Sequence, residues 1–177
     1  MISGVFLFTL KLLCTVFGSV LLLRAYLRFS GTPGNDPIHM FTHQLTQWIV
    51  QPAAAFIPRL RNWDLPSLFV AYLVAVIYQF FFWMIGGFGI GIERLVLGSF
   101  VLVLYWGVEL AMWLALLYCI LSWVNPTSPY YRTLGYLTDP FLAPFRKLIP
   151  TWRNIDFSAI VFFILVSLVS SFLVRFI

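Results

Sequence analysis

Four long apolar runs divide the chain, at residues 2–23, about 67–85, about 95–120 and 157–174. Each lies near the roughly 20 residues that cross a hydrocarbon core of about 30 Å, and the third is long enough to tilt. Lipid offers no water to the backbone, so each run is predicted to be a helix. The connection between the second and third runs is short and holds Gly86, Gly87, Gly89 and Gly91, a tight and flexible hairpin. The other two connections, 24–66 and 121–156, are long.

Those long connections are patterned too. In 38–57 the apolar residues Ile38, Phe41, Leu45, Trp48, Ile49 and Phe56 recur three or four apart. In 130–149 Tyr131, Leu134, Leu137, Phe141, Phe145 and Leu148 do the same. This spacing sets one apolar stripe on a helix. Two environments suit such a stripe: the headgroup region of a bilayer, apolar face down, or the protein's own helices. They are compatible.

Sliding the chain by 92 residues aligns it on itself without a gap. Leu45-Thr46 falls on Leu137-Thr138, Pro52 on Pro144, Ile57-Pro58 on Ile149-Pro150, Arg61-Asn62 on Arg153-Asn154 and Asp64 on Asp156, eight identities in twenty positions. Tyr26 and Tyr118, Ser30 and Ser122, and Pro37 and Pro129 also coincide. The repeated unit is helix, amphipathic segment, helix. An even number of spans per unit gives both copies one orientation, with the repeat axis along the membrane normal.

Local chemistry completes the elements. In Thr138-Asp139-Pro140, Asp139 is placed to cap a helix and Pro140 to take its first position. Pro144 lies deeper and is expected to kink or divide the segment, and Pro150 to end it. Asp64 and Asp156 are expected to cap the second and fourth membrane helices, Asp156 in a position that also suits the helix dipole.

Composition agrees: 62% of residues are hydrophobic and 10% charged, against about 25% charged in soluble domains. The net charge of +5 sits in loops beside apolar runs, so anionic headgroups rather than nucleic acid are the expected partner. The first long connection carries Arg24, Arg28, Arg59 and Arg61, the second Arg132, Arg146, Lys147 and Arg153, and the hairpin only Arg94 beside Glu93. Both long connections are therefore expected on the cytoplasmic side and both termini on the other, with Arg175 the one basic residue at the far end. Cys14 and Cys119 lie in apolar runs and read as small hydrophobes. The first run lacks a basic leader and a small-residue cleavage site and holds Lys11, so it is expected to be a retained helix.

The run Leu121-Ser122-Trp123, then 138–150 with Asp139, Pro140, Pro144, Arg146, Lys147 and Pro150, then Ile155-Asp156-Phe157-Ser158, resembles the YggT family of bacterial inner-membrane proteins. The first copy resembles the family's first repeat in Leu21-Leu22-Leu23-Arg24 and Thr46-Gln47. It departs at Trp48, where the family has proline, and at Ala54-Ala55, where it has a basic pair. Arg61-Asn62 and Arg153-Asn154 stand where the family has two glycines. The resemblance implies a membrane protein linked to osmotic or ion-stress tolerance, near cell-division genes in some bacteria, with a plastid relative that assists assembly of a haem-bearing cytochrome.

Within the spans Lys11 and Glu109 are costly, and such residues mark ion paths, proton relays or buried pairs. Counted from the repeat, they differ in depth by about 9 Å, so a salt bridge is within reach of a lysine stem. The alternative is a snorkelling Lys11 and a locally bonded Glu109. His39 and His43 share a helix face near Asp36 and are weak metal candidates; no Glu or Cys completes a site in sequence, and a polar interfacial face holds them comfortably. Arg146 and Lys147 end an amphipathic stripe, as lipid or partner contacts or as topological anchors. No catalytic set, phosphate loop or zinc signature is present, and no cofactor or enzymatic activity is expected.

The expected fold is all-α with four transmembrane helices in two parallel tandem repeats: 1–85, a hairpin at 86–94, and 95–177. The expected function is a non-enzymatic inner-membrane scaffold or assembly factor. It would present Ser122, Trp123, Asp139, Pro140, Pro144, Arg146, Lys147, Pro150 and Asp156 to lipid or to a membrane-protein partner. The alternative is a small transporter or channel component affecting ion or osmotic balance. Four spans are few for a pore in one copy, which leaves a homo-oligomer open.

Overall fold

The computed structural model describes residues 2–58, 63–86, 91–148 and 157–177. Among these the protein is all-helical. Six α-helices follow in order: α1 Ile2–Phe29, α2 Pro37–Phe56, α3 Leu65–Gly86, α4 Ile92–Val124, α5 Pro129–Leu148 and α6 Phe157–Leu173, with a 3₁₀ turn at Val174–Phe176. Three of them, α1, α3 and α4, are long and apolar enough to cross a membrane. The apolar α6 has 17 residues.

The helix ends have local causes. α1 runs six residues past the apolar stretch and stops at Gly31, whose φ of 68° is readily reached only without a side chain. There Thr32 N donates to Leu27 O at 3.2 Å and Gly31 N to Arg28 O at 3.1 Å, the paired bonds of a Schellman cap. α2 begins where Asp36 accepts a bond from Ile38 N at 2.9 Å, with Pro37 in the first turn. At the start of α3 the backbone oxygen of Asp64 accepts from Ser67 N at 3.0 Å.

α5 differs from the expectation that Asp139 caps a helix. It begins eleven residues earlier, where the Ser128 side chain accepts from Tyr130 N at 3.2 Å, and it runs unbroken through Asp139, Pro140 and Pro144. Each proline removes a backbone donor, so the Tyr136 and Pro140 carbonyls lose their helical partners. Leu134, Leu137 and Leu142, all buried on one side, hold the helix together across that defect. Tertiary burial has overridden the local signal.

Helices α1, α2 and α3 pack on one another, and so do α4, α5 and α6. The two groups meet where α4 crosses α1 and α3, with α2 touching α5. One core gathers Leu21, Val50, Ala71, Ala75, Leu102 and Trp106 from the first four helices. A second gathers Ala111, Ala115, Leu142, Phe162 and Val166. α4 contributes to both. Small residues permit close approach, as between membrane helices: a Cβ on Gly18 would collide with two ring atoms of the buried Trp106.

The two amphipathic segments coincide with α2 and α5, but their stripes face opposite ways. In α5, Leu134 and Leu137 are buried and Phe141 and Phe145 half-buried against the protein's own helices. In α2 the inward row is Thr42, Thr46 and Val50, while Phe41, Leu45, Trp48 and Phe56 face outward.

Candidate functional site

The first polar centre is Arg24. Near the end of α1, it is 6% exposed. Its Nε donates to Asp64 Oδ2 at 3.3 Å and its Nη1 to Thr46 Oγ1 at 2.8 Å. Ser67 Oγ donates to the same Asp64 oxygen at 2.8 Å, and Thr46 Oγ1 donates to Thr42 O at 2.6 Å. A buried cation is tolerable only when paired and hydrogen-bonded. Here one guanidinium ties α1, α2 and the first residues of α3 together. The sequence reading places Arg24 among the cations of the first long connection, whereas the structure buries it within α1. The signal that could have corrected this was the coincidence of Thr46 and Asp64 with the repeat identities.

The second centre joins the two halves. Asp36 caps α2 with one carboxylate oxygen, and its other oxygen accepts a short bond from the Thr133 hydroxyl of α5. Tyr26 of α1 donates to Leu137 O at 2.7 Å, and Tyr136 of α5 donates to Ser30 O at 3.0 Å. The Tyr26 and Phe141 rings stand 5.5 Å apart. Sequence reasoning singles out neither Thr133 nor Tyr136, because no periodicity links residues about a hundred apart.

The second-copy motif is partly engaged within the fold. Arg146 Nη1 lies 2.9 Å from Asp139 Oδ1, and its guanidinium sits 5.7 Å over the Tyr118 ring. Tyr118 stacks on Tyr131 at 4.9 Å. Ser122 and Trp123 fall inside the last turn of α4 rather than in a loop; Trp123 is exposed and so is Lys147. Pro140 and Pro144 lie within α5. Pro150 and Asp156 lie outside the described residues, as do residues 87–90 of the glycine hairpin.

Lys11 and Glu109 form no ion pair with each other. Lys11 is exposed and borders a crevice of about 220 Å³ with Thr15, Tyr105 and Trp106, and Glu109 is half-buried. His39 and His43 stack with ring centroids 6.3 Å apart. Asp36 nearby is committed to its cap and to Thr133, and no group of three or more His, Cys, Asp or Glu converges among the described residues. Cys14 is buried in the first core and Cys119 half-buried, and no disulfide joins them.

The comparisons with known proteins cover nearly all of this framework. The family model described as CCB3/YggT matches residues 3–85 and again 97–177. The uncharacterised protein YggT of Escherichia coli strain K12 is 30% identical over 164 residues, covering 92% of this chain and 86% of its own. An uncharacterised protein of Vibrio alginolyticus is 30% identical over 161 residues, 89% of this chain and 86% of its own. One of Pseudomonas aeruginosa is 27% identical over 173 residues, 96% and 88% of the two chains. No solved structure matches.

Proposed function

The chain belongs to the CCB3/YggT family, and from that premise we propose that it is a non-enzymatic scaffold or assembly factor of the bacterial inner membrane. In this reading α6 is the fourth span and the two family segments are parallel repeats. The connections bearing α2 and α5 face the cytoplasm, and both termini face the periplasm. Arg28, Arg132, Arg146 and Lys147 supply the cytoplasmic charge.

The observation that carries the proposal is the outward face of α2. Trp48 is 69% and Phe56 89% exposed, with Phe41 and Leu45 beside them, while the inner row of the same helix is Thr42, Thr46 and Val50. A helix that turns threonines inward and aromatics outward has its apolar face available to something else. Arg24 and Asp36 fix that helix to the rest of the protein, so the face is presented in one geometry. Lys147 and Trp123 are further exposed groups in the second half.

A photoreactive residue at position 48, irradiated in intact cells, tests this. A discrete protein adduct that Lys147→Glu diminishes is expected. Adducts with lipid alone would overturn it. The alternative, a small transporter or channel component, is favoured by the crevice beside Lys11. It requires ion flux in proteoliposomes that Lys11→Leu with Glu109→Leu abolishes.

A further inference from the structure

Where α1, α3, α4 and α5 meet, a cavity of about 350 Å³ opens between the two halves of the chain. That is at the small end of the range for sites that take organic ligands. Its wall is almost wholly apolar, with Tyr26, Phe29, Trp63 and Phe141 contributing aromatic rings and Gly107 leaving room on α4. One carboxylate stands in this wall, that of Asp64. Its Oδ2 is taken by Arg24 and Ser67. Its Oδ1 is buried and has no hydrogen-bond partner among the described residues, and the residue as a whole is 2% exposed.

A buried acceptor left without a donor is expensive, and native structures rarely keep one unless something supplies the proton. The cavity is too apolar to hold water on several polar partners. We propose that it binds a lipid alcohol: an amphiphile whose hydrocarbon part lies among the aromatic rings and whose hydroxyl donates to Asp64 Oδ1. A neutral hydroxyl fits better than an ammonium, because Arg24 already balances the carboxylate and a second buried cation would stand uncompensated. The site draws on both halves of the chain. It is independent of any protein partner at α2.

The probe is a long-chain alcohol bearing a diazirine, applied to the full protein in nanodiscs, with labelled residues located by mass spectrometry. Its methyl ether, which has no donor, is the control. Labelling is expected at Trp63, Phe29 or Phe141, about fivefold weaker for the ether, the factor a single hydrogen bond supplies. Gly107→Phe is expected to remove the labelling. A Cβ at Gly107 meets nothing within 4 Å, so the new side chain starts in open space, and unfolding at the parent's temperature is expected and checks that Gly107→Phe is folded, whereas Asp64→Asn also breaks the Arg24 pair. Competition by diacylglycerol or by a polyisoprenol distinguishes the two natural sources of such a hydroxyl. Equal labelling by alcohol and ether would overturn the proposal, as would labelling that persists in Gly107→Phe.

Discussion

Arg24 and Asp64 are forty residues apart in the chain, and their side chains meet at 3.3 Å in a place where both are almost fully buried. The pair fastens the end of α1 to the start of α3 and, through Thr46, to the middle of α2. The aligned position of Arg24 in the second half is Leu116, so this polar tie has no cationic counterpart there.

Removing one partner of a buried pair leaves the other uncompensated. Arg24→Leu is expected to lower stability by about 3–5 kcal/mol. The double variant with Asp64→Leu should recover much of that loss, since a well-packed apolar pair of similar size is often neutral. Unfolding of the detergent-solubilised protein measures all three. Additive losses would contradict the coupling.

Gly18 and Trp106 are expected to behave as lock and notch. Gly18→Ala pushes a methyl group into the indole and should cost about 1–3 kcal/mol, as overpacking does. Gly107→Ala, on α4 with open space around it, should be neutral or gain up to about 1 kcal/mol from helix propensity. Thermal unfolding of the two variants separates close packing from a general effect of replacing glycine in a helix.

Asp36 serves two helices. Thr133→Val removes only the tie to α5, whereas Asp36→Ala also uncaps α2, a further loss of about 0.5–2 kcal/mol. Hydrogen exchange should show the first turn of α2 opening in Asp36→Ala and staying protected in Thr133→Val.

Leu45 and Leu137 occupy aligned positions and have opposite surroundings, 45% exposed in one case and fully buried in the other. Leu137→Ala should cost about 2–5 kcal/mol, and Leu45→Ala within about 0.5 kcal/mol. Similar losses would mean that α2 is covered by protein rather than open.

Much of the helical layout could be read from periodicity, because it depends on neighbours three and four residues apart. Residues 38–57 and 130–149 emerge as α2 and α5 within one residue at each end. The direction of each stripe could not be read, since Leu45 and Leu137 are the same residue with the same neighbour, Thr46 or Thr138. Only packing against other helices tells them apart. Local rules also failed at Asp139-Pro140, where cap chemistry gave way to the buried leucines around it. Arg24 was misplaced for a related reason: a cation at the end of an apolar run looks interfacial until an acid forty residues later is seen to meet it.

The double membership of α4 has a consequence for biogenesis. The ribosome delivers α1, α2 and α3 first, and the notch at Gly18 then has no indole to fill it. The earlier helices are therefore unfinished when they enter the bilayer, and maturation waits on one later segment. Arrest of synthesis just before Ile92 would leave a species with Leu21 and Ala75 lacking their Leu102 and Trp106 neighbours.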